Sequence, residues 1–179
     1  MTVADFTTST VKYILSSNPD EPGIQYGRYL EYLETIKSSL PDHIYAFASH
    51  EKYFTLNSPH SLHDAWLSSV EVRETRNKER PFEPVVGVTL KLLGQLHDRT
   101  IVLEYKEVCR YELNGKPNRS NWADTFHGDV FTHEVRIEKK GWIIHEIGFV
   151  SDSTFLIECR DFTSREEMLG AVGESKHGL

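Results

Sequence analysis

The hydrophobic period of this chain changes near residue 65, and with it the kind of element the chain can form. Before it, apolar residues recur at steps of three and four, at Tyr26, Tyr29, Leu30, Leu33, Ile36 and Leu40, with Glu31, Glu34 and Lys37 on the remaining arc. That spacing lays one apolar stripe along an α-helix. Pro41 closes it, because proline lacks the N–H that would continue the ladder. Asp42 is placed to cap a short second helix with Ile44, Phe47 and Ala48 on one side. Residues 56–64, rich in serine, asparagine and proline, read as a turn-rich connection.

After residue 65 the period is two. Trp66, Ser68, Val70 and Val72 alternate with Leu67, Ser69, Glu71 and Arg73, and Val86, Val88, Leu90 and Leu92 share a face opposite Thr89 and Lys91. Ile101, Leu103 and Tyr105 continue the pattern. The clearest hairpin sets His133, Val135 and Ile137 against Glu134, Arg136 and Glu138, turns at Lys139-Lys140-Gly141, and returns from Trp142 through Phe149. A last strand carries Phe155, Ile157 and Cys159. Short turns with no crossover helix require antiparallel neighbours. The expected fold is therefore α+β: an antiparallel meander of five to six strands, half-barrel or sandwich-like, with the N-terminal helices packed on one face. A chain of 179 residues needs only one core. One domain over 1–179 is expected, helical over about 20–55 and β over about 65–162, with a frayed tail over about 173–179. The polar segment 114–125, containing Gly115, Pro117 and Asn118, is the one extended loop and a natural place for contacts.

Twenty-seven acids against twenty bases give a net charge of −7. That balance argues against nucleic acid, whose phosphates are held by basic clusters, and fits a basic partner. The first residues do not read as a signal peptide, and no run approaches the ~20 apolar residues of a membrane span. A cytoplasmic location and no membrane partner are expected. Cys109 and Cys159 match no zinc spacing and are expected to be two buried thiols rather than a disulfide.

Between residues 63 and 146 five histidines sit one or two residues before an acid: His63-Asp64, His97-Asp98, His127-Gly128-Asp129, His133-Glu134 and His145-Glu146. A hydrolytic zinc site takes three such ligands and leaves a position for water. Strand neighbours point to opposite faces, however, so neither His133 with Glu134 nor His145 with Glu146 lines one pocket. No second histidine follows at helical distance. His133 shares its face with Val135 and Ile137, and His145 with Ile143 and Ile147, as core histidines do. Glu134 and Glu146 share the other face. If Glu138 pairs with Trp142 they stand directly opposite, which is unfavourable unless a cation lies between them. His60, His63 and Asp64 lie at a strand entrance, and His97-Asp98-Arg99 occupies a hairpin turn, where aspartate satisfies backbone donors. A metal-dependent hydrolase would need His63, His97 and His127 to converge with Asp64, Asp98 or Asp129. Nucleophile elbow, phosphate-cradling loop and dinucleotide fingerprint are all missing, and the arginines beside the cysteines, Arg110 and Arg160, point away on a strand. These residues point to a non-enzymatic protein without metal or cofactor.

The run Ser61-Leu62-His63-Asp64-Ala65-Trp66-Leu67, followed by Leu92-Leu93-Gly94 with His97-Asp98-Arg99, then His127-Gly128-Asp129 and His133-Glu134, resembles a family of small bacterial proteins. These are similar to immunity partners of polymorphic and contact-dependent growth-inhibition toxins. The likeness covers roughly residues 25 to 162. It implies a protein that binds and neutralises a cognate toxin domain, and an acidic surface suits a basic nuclease whose active site it would occlude. The expected contact residues are Asp124 and Asp129 at the loop, Glu134 and Glu146 on the outward face of the hairpin, and Trp122 as an apolar anchor. Two other readings stay open: the metal-dependent hydrolase, and a small-ligand-binding domain with its pocket between sheet and helix.

Overall fold

The computed structural model describes residues 22–76, 78–79, 81–121, 124–138 and 141–170. Two helices, α1 (Pro22–Ile36) and α2 (Asp42–Ser49), precede the strands β1 (Trp66–Arg76), β2 (Pro84–Leu93), β3 (Arg99–Lys106), β4 (Arg110–Asn114), β5 (Val130–Ile137), β6 (Ile143–Phe149), β7 (Thr154–Cys159) and β8 (Asp161–Met168). The fold is α+β, with more strands than the five to six expected. Every ladder is antiparallel, in two four-stranded sheets ordered β1-β2-β3-β8 and β4-β7-β6-β5. It is not a simple meander, because β8 returns to β3 and β7 inserts between β4 and β6.

The two sheets are joined through one bent strand pair. Lys106 at the end of β3 pairs with Asp161, and three residues later Cys109 N donates to Glu158 O at 3.0 Å to begin the β4–β7 ladder. Arg160 N donates to Lys106 O at 3.2 Å within the corner, and Glu107 turns there at φ +49°. Strands that pass from one sheet to another at such a corner are how two packed sheets share a single core. At the far side Trp66 bridges to Asp129, and Val130 N donates to Ala65 O at 2.9 Å.

One core results. Val88, Leu90 and Leu92 of β2, Ile101, Leu103 and Tyr105 of β3, Phe162 of β8, Val135 of β5, Ile143 and Ile147 of β6, and Phe155 and Ile157 of β7 pack with Tyr29, Leu33, Ile44, Phe47 and Ala48 from the helices. In β2 and β3 the period-two residues face inward as their spacing requires. In β1 a bulge between Leu67 and Ser69 breaks the expected alternation, so that Leu67, opposite Leu92, shares the core face with Val70, and Trp66, opposite Leu93, does not. In α2 the cap position belongs to Pro41, and Asp42 is the first helical residue. There its carboxylate favours the helix through the dipole rather than through a cap hydrogen bond. Both cysteines are free; Cys159 is buried, but Cys109 is exposed beside the corner, against the expectation of two buried thiols. Among the described residues no helix is long and apolar enough to cross a membrane. The tail from residue 171 onward lies outside the described residues.

The two outer edges are treated differently. β5 borders α1, whose Tyr29 hydroxyl accepts from Val135 N at 2.7 Å and donates to Val135 O at 3.2 Å, while Tyr32 Oη accepts from Ile137 N at 3.1 Å. Two phenols thus stand in for a missing strand. β1 is the edge of the other sheet, and from Glu71 to Arg76 its side chains are exposed.

Candidate functional site

Glu138 N donates to Trp142 O at 2.7 Å, and this closure sets the β5–β6 register with Glu134 directly opposite Glu146. The cation that such a pair demands is Arg136, two residues along the same face of β5. Its Nη1 donates to Glu134 Oε1, and its Nη2 to Glu146 Oε2 at 2.7 Å. Arg136 retains 1% of its side-chain exposure. Burial opposes its charge, but the two carboxylates outweigh that and hold its pKa above the ordinary value. Glu134 and Glu146 face away from the helices, yet they are buried rather than displayed on an outer surface. The reason is local: one guanidinium bridges both carboxylates, so the group packs as a unit.

Glu134 and Glu146 of that unit line a cleft of about 670 Å³. Lys116, Phe131, Thr132, Gly148, Val150, Asp152 and Thr154 complete its walls, so three carboxylates and one ammonium line it among the described residues. Phe131 and Val150, 47% and 42% exposed, form apolar lips. Gly148 keeps the floor open at Thr132, where a Cβ would come within 2.9 Å of the hydroxyl. Gly128, at φ +66°, lies against Val150 so closely that a Cβ would meet its Cγ2 at 2.4 Å.

The loop beside the cleft is tied internally. Asn118 Nδ2 donates to Asp124 Oδ2 at 3.2 Å, Asn118 Oδ1 accepts from Ser120 N and Asn121 N at 3.2 Å, and Asp124 Oδ1 accepts from Thr125 N at 2.8 Å. Buried Ser153 anchors the loop to the start of β7: its Oγ accepts from Lys116 N at 2.8 Å, donates to Lys116 O at 3.1 Å and lies 2.9 Å from His127 Nδ1. Sequence reasoning passed over Ser153, and no local pattern marks it. Asp129 accepts the Trp66 indole N–H at 2.6 Å. Of the expected contact residues, the structure brings Glu134 and Glu146 to the cleft, holds Asp124 and Asp129 in local hydrogen bonds, and leaves Trp122 outside the described residues.

The remaining histidines separate. His63 Nδ1 lies 2.8 Å from Asp64 Oδ1, the His97 ring packs 4.3 Å from Trp66, and His60 joins Glu166 at 2.7 Å beside the Arg99–Asp98 pair. Asp98 serves Arg99 as well as its own backbone N–H, and the arginine hydrogen bond, the larger effect, holds its carboxyl below the usual range. His63, His97 and His127 each keep a different neighbour. Among the described residues no three histidine, cysteine or acid side chains gather to hold a metal ion.

His133 and His145 enter the core as one hydrogen-bonded chain. Tyr53 O only accepts, so His133 Nε2, 3.2 Å away, must carry the proton. The bare His133 Nδ1 then accepts from His145 Nε2 at 3.4 Å, and His145 Nδ1 accepts from the Tyr105 hydroxyl at 2.7 Å. Both rings are neutral Nε2–H tautomers, stacked on Phe54 at 4.2 Å and Phe162 at 5.2 Å. Burial pushes His133 down to about 4 and His145 well below its ordinary value.

The chain matches no protein-family model, no curated protein and no solved structure.

Proposed function

We propose that the chain is an immunity-type protein that binds and neutralises a toxin domain, without chemistry of its own, through the acidic cleft of its second sheet. The observation that carries this reading is the cleft itself: Glu134, Glu146 and Asp152 stand against Lys116 and the bridging Arg136, between apolar lips, on a chain of net charge −7. A cationic side chain entering between Glu146 and Asp152 gains Coulomb attraction in a partly desolvated place, and Phe131 and Val150 supply the contact area that holds it. The net charge speeds the encounter. A basic nuclease groove is the surface this complements, and occlusion of that groove is the means of neutralisation. The reading carries a cytoplasmic location with it.

The test is growth. Cells producing the toxin domain encoded beside this chain's gene should survive when the chain is co-produced, and Asp152→Lys combined with Phe131→Glu should abolish survival while the protein stays folded. No survival with the wild-type chain contradicts the reading. A second reading, a small-ligand-binding domain, is favoured by the cleft volume, which falls within the ~300–1,000 Å³ of small-molecule sites. A thermal shift against a panel of cationic metabolites separates the two.

A further inference from the structure

We propose that the open edge of β1 pairs with the same edge of a second copy of this chain, antiparallel and centred on Val72. The outer half of β1 lies on a thin ribbon: Arg73–Arg76 pair with β2 residues Pro84–Gly87, the β2–β3 ladder begins only at Val88, and beyond it Val108 N donates to Val86 O at 2.8 Å. Ribbons of two strands are marginal in water, and a further strand stabilises them. Exposed edges are ordinarily guarded by charges that repel an incoming strand. Here the exposed charges on one face of the ribbon alternate in sign, with Glu71 and Arg73 already 2.6 Å apart.

Symmetry limits the registers. A two-fold axis normal to the sheet keeps every side chain on its own face, so the axis must pass through a residue facing its own copy. Centring on Glu71, Arg73 or Glu74 sets like charges directly opposite, which is destabilising. Centring on Val72 sets Glu71 opposite the partner's Arg73, and Arg73 opposite the partner's Glu71, with no like charges facing. On the other face Val72, 42% exposed, lies beside Val88, which in turn lies beside Tyr105. Pairing Val72 with the partner's Val72 makes this apolar row continuous across six strands and covers the valine.

Sedimentation equilibrium of the full chain tests this, independently of any toxin. The wild type should be a dimer. Glu71→Arg and Arg73→Glu alone should each weaken it by about tenfold or more, because each reversal makes two symmetry-related pairs repulsive. The Glu71→Arg/Arg73→Glu double variant should restore it. A monomeric wild type, a dimer indifferent to both single reversals, or a double variant that stays dissociated overturns the proposal.

Discussion

At the scale of single residues, the buried polar groups set how the protein responds to acid. His133 is neutral in the fold down to about pH 4, whereas an unfolded chain protonates it near its ordinary 6.5. Above that value both states hold the same protons and stability is flat. As pH falls from 6.5 towards 4, the unfolded chain takes up a proton that the folded one refuses, so stability falls by about 3 kcal/mol for His133. His145 adds loss in the same direction. Urea unfolding at pH 7 and pH 4.5 should show this drop, and ¹⁵N spectra should show the His133 and His145 imidazoles still as neutral Nε2–H tautomers below the ordinary histidine range. Arg136 gives the opposite kind of test. Arg136→Met leaves Glu134 and Glu146 facing each other without the guanidinium that bridges them, at a cost of about 3–5 kcal/mol in urea unfolding. The alternation in the sequence already put Arg136 on the face of Glu134, and the opposition of the two glutamates called for a cation. What the sequence withheld was the burial of all three, which comes from packing rather than pattern.

At the scale of elements, the contrast between the two sheet edges governs what each substitution does. Tyr29→Phe removes both partners of a buried backbone N–H and C=O on β5, and should cost about 2–4 kcal/mol. Tyr32→Phe, where both Tyr32 and Ile137 are half-buried, should cost less than about 1 kcal/mol. Faster amide exchange at Val135 in the first variant, and little change in the second, checks the assignment. The helices, β2, β3 and the β5–β6 hairpin were legible because each has an apolar face at its proper period. β4 and β8 were not. Arg110-Tyr111-Glu112-Leu113-Asn114 offers one half-buried apolar residue, and Arg165-Glu166-Glu167 ends β8 in exposed charge. Such segments become strands only because β7 and β3 lie beside them, a pairing at long sequence separation that no local periodicity encodes. The corner at Glu107 escaped for the same reason.

At the scale of the whole molecule, charge and cleft act together. The negative balance was read directly from composition, and two of the five expected contact residues, Glu134 and Glu146, do line the cleft. Lys116, Phe131 and Asp152 were missed, because they come from the loop, β5 and the β6–β7 turn and meet only when the second sheet has formed. Long-range attraction of this kind is screened over a Debye length of about 8 Å at physiological salt. The most direct measurement of the proposed function is calorimetric titration of this chain with the catalytic domain of a toxin encoded beside its gene, at low and high salt, for the wild type and Asp152→Lys. The account predicts nanomolar affinity that weakens at least about tenfold with salt and again with the charge reversal. Absence of binding, or tight binding indifferent to both salt and Asp152→Lys, would contradict it.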